Sequence, residues 1–111
     1  MSRNKYNARK AEVDGITFDS RKEAQRYAEL KLLLRGGEIR DLRLQVKYEL
    51  IPKQDGERAC EYIADFVYQD ARTGETVVED VKGCKQGAAY NIFAIKRKLM
   101  LWRYGIKVVE I

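Results

Sequence analysis

Apolar positions along the chain repeat with a helical period in two places and read as strands between them. In SRKEAQRYAELKLLLRGG, Tyr27, Leu30 and Leu34 share one stripe with Glu23, because residues three and four apart lie on one helix face. Ser20 stands at the N-cap with Glu23 three residues on, a capping-box spacing, and Gly36-Gly37 ends the run. A second helix is expected over about Ala88 to Arg103, with Ile92, Ile95, Leu99 and Trp102 on its packing stripe and Gly105 as its stop.

Strands account for the rest. Glu12 to Asp19 (EVDGITFD) carries Asp14-Gly15, a two-residue hairpin signal. Ile39 to Leu44 and Gln45 to Ile51 cluster or alternate apolar residues up to Pro52. Glu61 to Tyr68 and Thr76 to Lys82 are joined by a DARTGE turn, and Lys107 to Ile111 is a final strand. The two strands about that turn are apolar on both faces, which suits the centre of a covered sheet. The order helix, strands, helix, strand predicts an α/β sandwich with a mixed sheet flanked by helices.

The turn fixes a register with chemical consequences. With Ala71-Arg72-Thr73-Gly74 as the loop, Asp70 pairs with Glu75, and the same register carried inward sets Asp65 opposite Asp80. Their Cβ atoms would be roughly 5 Å apart on one face, with Lys82 on that face opposite Ile63. Two carboxylates so placed repel unless a shared proton, a lysine or a divalent cation offsets them. Asp65, Asp80 and a helical Glu23 are hard oxygen donors of the kind that bind Mg²⁺ or Mn²⁺. Lys82 beside them can orient water or stabilise phosphate charge. Alternation places Glu79 on the other face, where it suits a salt bridge or helix contact.

Composition narrows the chemistry. The 111 residues suit a single domain, at 11–111, after a basic arm at 1–10. Lys and Arg exceed Asp and Glu by 22 to 17, which suggests a polyanionic partner. The chain has no histidine, which excludes histidine-based triads, zinc–histidine centres and HNH-type nucleases. Cys60 and Cys84 read as reduced thiols of a cytoplasmic protein. Cys84, near Lys82 and Lys85, lacks a histidine base to act as a nucleophile. No apolar run approaches the ~18 residues of a membrane span, and the N-terminus has no signal-peptide core.

The Asp65, hairpin, Asp80-Val81-Lys82 arrangement resembles the D…(D/E)xK signature of the restriction-endonuclease-like (PD-(D/E)XK) superfamily. FDSRKEAQRY, LQVKYEL, YIADFVY and VVEDVKG, in this order, are similar to segments of its small phage-encoded endonucleases, often labelled Holliday-junction-resolvase-like. The resemblance runs from about Lys5 to Ile106. It implies an αβββαβ core and Mg²⁺- or Mn²⁺-dependent hydrolysis of DNA, including branched or recombination intermediates, in a phage-infected or prophage-carrying bacterial host. It implies metal ligation by Glu23, Asp65 and Asp80, a catalytic Lys82, and Gln45 near the metal. The alternative readings are Glu23 as a cap, Lys82 as an ion-pair partner and Gln45 as a backbone-bonding residue.

Lys5, Arg9, Lys85, Tyr90, Asn91, Lys96, Arg97 and Lys98 are candidate DNA contacts, although a helical KRK run is more often a solvated face. One chain carries one such site, so cutting both strands would take a homodimer. The alternatives are a catalytically inactive DNA-binding module and a phage structural or assembly protein.

Overall fold

A computed structural model describes residues 10–111; the expected basic arm, with Lys5 and Arg9, lies outside the described residues except for Lys10. The elements are β1 (Ala11–Val13), β2 (Ile16–Phe18), α1 (Arg21–Arg35), β3 (Ile39–Ile51), β4 (Cys60–Asp70), β5 (Thr76–Asp80), α2 (Ala88–Tyr104) and β6 (Val109–Glu110). β1 and β2 form a separate hairpin, and its turn residues Asp14 and Gly15 both have positive φ, as a tight two-residue turn requires. The main sheet has the order β3-β4-β5-β6, antiparallel except for the parallel β5–β6 pair. This is a mixed α/β fold with β4 and β5 central.

Consecutive residues of β4 point to opposite faces, and each face carries one helix. Phe66 and Tyr68 pack with Phe18, Ala24, Tyr27 and Leu30 on the α1 side. Val67 packs with Val78, Phe93, Met100 and Val108 on the α2 side. The expected stripe of α1 is the one buried: Glu23, Tyr27 and Leu30 all face inward, and Ser20 Oγ accepts from the Glu23 N–H at 3.1 Å.

The α2 stripe is a correction. Ile92, Ile95 and Trp102 are 56%, 59% and 79% exposed, whereas Phe93 and Met100 are buried. α2 carries apolar residues on two faces, and the sheet takes the one that includes Phe93, while Trp102 belongs to neither core cluster.

The register of β4 with β5 is the one the turn predicts: Phe66↔Glu79, Val67↔Val78, Tyr68↔Val77 and Gln69↔Thr76, with the Asp70 N–H donating to Glu75 O at 2.9 Å. Ile39 to Ile51 is one strand rather than two, and it contains an irregularity that alternation does not foresee. Leu44 and its partner Phe66 pack on the α1 side, yet Val46 and its partner Ala64, two residues away, pack on the α2 side. Strand alternation alone would put residues two apart on one face. At the crossing level stands Gln45, with φ +53°, a left-handed conformation uncommon for a non-glycine residue. The sheet changes face at Gln45 and Asp65.

Candidate active site

This change of face, the C-terminal end of β5 and the first turn of α1 meet at one place. Asp65 lies one step beyond the last β4–β5 pair. There its Oδ2 accepts from the Val81 N–H at 2.8 Å, and its Oδ1 accepts from the Gln45 side-chain amide at 3.2 Å. Asp80, the last residue of β5, is buried. Its Oδ2 accepts from the Tyr62 hydroxyl at 2.7 Å, and its Oδ1 is 3.2 Å from Lys82 Nζ. Tyr62 reaches Asp80 because β4 has changed face below Asp65. The same change moves Ile63 outward, 47% exposed and paired with Lys47. It is therefore not the apolar neighbour of Asp65, or the partner of Lys82, that simple alternation gives.

Lys82 lies beyond β5 and is fixed on three sides. Its ammonium sits 3.7 Å from the centre of the Phe93 ring as well as beside Asp80. Its carbonyl accepts from Lys22 Nζ at 2.8 Å, and its N–H donates to Ile111 O at 3.3 Å. Sequence reasoning missed Tyr62, Phe93 and Lys22, because their roles depend on tertiary contacts without a local signal.

Glu23 and Asp65 hold protons tightly. Burial, then the charges of Asp65, Asp19 and Asp80, raises Glu23 from 4.5 to about 7. Burial raises Asp65 to about 6; the Val81 N–H and Gln45 amide oppose this and Asp80 adds to it. Tyr62 is pushed well above the ordinary phenol range by burial and then by Asp80. Glu23 thus belongs to the electrostatic group. Even so, among the described residues no three acidic or cysteine side chains are grouped closely enough to hold a metal ion.

Glu79 faces the other way, as alternation predicts. It is buried, accepts from Arg26 Nε and Nη2 at 2.8 and 2.6 Å, and accepts from the Tyr68 hydroxyl.

A cleft of about 270 Å³ opens beside Asp80 and Lys82, walled by Tyr62, Ile63, Ile92, Phe93 and Lys96. A larger hollow of about 640 Å³, near Tyr68 and Arg72, lacks the carboxylate–lysine grouping. Of the candidate DNA contacts, Lys96 lines the cleft, while Lys85, Asn91 and Lys98 are exposed. Tyr90 and Arg97 are engaged inside the molecule: both donate to Glu110, at 2.7 and 2.9 Å, and so tie α2 to β6. Both cysteines are free, and no helix among the described residues is long and apolar enough to cross a membrane.

A family model described as a protein of unknown function (DUF1064) matches residues 3–109. No curated protein and no solved structure matches the chain.

Proposed function

This chain belongs to DUF1064, a family of unknown function, and on that premise we propose, from its own residues, a divalent-cation-dependent endodeoxyribonuclease with a restriction-endonuclease-like core. The observation that carries the reading is the pair Asp80 and Lys82 beside an open cleft, with Asp65 next to Asp80 and Glu23 coupled to both aspartates by charge. Magnesium is usually held by one or two carboxylates, the rest of its shell being water and substrate phosphate. Two aspartates therefore suffice without a three-residue cage. Asp65 and Asp80 would hold Mg²⁺ or Mn²⁺, which when bound neutralises phosphate charge and makes water more acidic.

The other groups position and polarise. Gln45 and the Val81 N–H aim the Asp65 carboxylate, and Tyr62 aims Asp80. The Lys82 ammonium faces the cleft, where it orients the attacking water or stabilises negative charge on the phosphate. Hydrolysis adds water across one P–O bond, leaving a phosphomonoester and a hydroxyl. Lys96 and Lys85 hold the flanking backbone electrostatically, so binding should weaken with salt. Nicking of supercoiled plasmid in Mg²⁺ is the test. The parent should cut, while Asp80→Ala and Lys82→Ala should fall at least about a hundredfold. Equal cutting by all three would sink the assignment.

One observation favours a second reading. Both oxygens of Asp65 and both of Asp80 already have protein partners, as a closed structural network would. In a binding-only module, Mg²⁺ would give no calorimetric heat with or without DNA.

A further inference from the structure

The exposed face of α2 has a pattern that the core uses only at Leu99 and the cleft only at Ile92. Ile92, Ile95, Leu99 and Trp102 follow one another at intervals of three, four and three residues, the a/d spacing of a heptad seam. Three of them are more than half exposed and Leu99 is half-buried. Lone exposed apolar residues are ordinary, but a contiguous stripe ending in an almost bare tryptophan marks an interaction surface. The flanking e and g positions are Lys96, Arg103, Asn91 and Lys98, and α2 contains no acidic residue. Arg103 turns back to Leu50 O and Glu49, which leaves Lys96 and Lys98 as the cationic borders.

From this pattern we infer that α2 docks an amphipathic helix of another protein, with an apolar seam bordered by acidic residues. The e and g charges of a heptad pair choose the partner. A second copy of this chain would oppose basic borders to basic borders in either orientation. DNA would satisfy the lysines but leave the apolar seam in water. An acid-bordered helix satisfies both features. Ile92 also walls the cleft beside Asp80, so the docked helix would end at its mouth. The inference does not depend on the nuclease reading, and its test involves no cleavage.

The test uses the full chain and two synthetic helical peptides with the same leucine seam, one bordered by Glu and the other by Lys. The Glu-bordered peptide should bind at least about tenfold more tightly by calorimetry. Ile95→Glu and Trp102→Glu, both at exposed positions, should abolish binding without moving the melting temperature. The pair Lys96→Glu/Lys98→Glu should invert the preference. Absence of binding, equal binding of both peptides, or binding indifferent to Trp102→Glu would overturn the inference. So would sedimentation showing the chain paired with itself through a contact that Trp102→Glu dissolves.

Discussion

The Lys82 ammonium lies 3.7 Å from the centre of the Phe93 ring. Such contacts contribute about 0.5–2 kcal/mol, more as the cation is desolvated, and Lys82 is largely covered. α2 therefore supplies a buried aromatic platform that holds the lysine toward the cleft. Phe93→Leu keeps an apolar side chain in the core and removes the ring. It should lower kcat about threefold to thirtyfold and leave KM unchanged. Steady-state cleavage of a labelled oligonucleotide measures this, and a change confined to KM would contradict it.

Neighbouring acids in β5 should fail differently. Glu79 is buried and satisfied by Arg26 and Tyr68. Removing one partner of a buried pair costs about 3–5 kcal/mol. Arg26→Met should therefore lower the melting temperature by at least roughly 10 °C, and the double variant Arg26→Met/Glu79→Met should recover most of that. Asp80→Asn keeps an oxygen to accept from the Tyr62 hydroxyl and removes a like charge beside Asp65, so it should melt within a few degrees of the parent while losing cleavage. Thermal melts and plasmid assays on the same preparations separate the two roles.

The pH dependence of stability follows from the raised carboxyls. Glu23 and Asp65 bind protons more tightly folded than unfolded, with folded values of about 7 and 6 against ordinary values of 4.5 and 3.8. The folded state therefore carries more protons between about pH 4 and 7, and the contribution of these groups to stability falls as pH rises through that window. Glu23→Gln should gain stability relative to the parent as pH increases from 5 to 8. Denaturant melts at the two pH values measure this difference. A constant difference would show that Glu23 is not held in its protonated form.

Gln45 separates backbone strain from side-chain use. Its left-handed φ costs on the order of 1 kcal/mol in a non-glycine residue, and its amide serves Asp65. Gln45→Gly relieves the strain and loses the amide, so stability should change by less than about 1 kcal/mol while cleavage falls. Gln45→Val, β-branched at positive φ, should destabilise by more. Chemical denaturation of the two variants distinguishes them.

Local signals carried much of this architecture. The stripe and cap of α1 were readable because Tyr27 and Leu30 have no competing apolar face there. The β4–β5 register was readable because Asp70 and Gly74 define a short loop. The packing face of α2 is not legible in this way, because its most regular stripe is, except at Leu99, the one the sheet leaves uncovered. The change of face at Gln45 carries no turn residue to announce it, so the outward position of Ile63 and the reach of Tyr62 to Asp80 were invisible. The choice of Asp80 over Glu79 for the α2 face needed only alternation, and the two residues do face opposite ways.

The loop between β4 and β5 has a role out of proportion to its exposure. The Asp70 carboxylate accepts from the Arg72 and Thr73 N–H groups, and the Gly74 N–H closes on the Asp70 carbonyl. This small knot sets the phase in which the two strands meet, and a slip of one residue sends every side chain to the opposite face. One residue inserted there, far along the strands from any chemistry, would offer Glu79 or Val81 where Asp80 now stands; two would restore the parity. The surface turn behaves as the site's vernier, so tolerance of length changes at Ala71–Gly74 should alternate between odd and even.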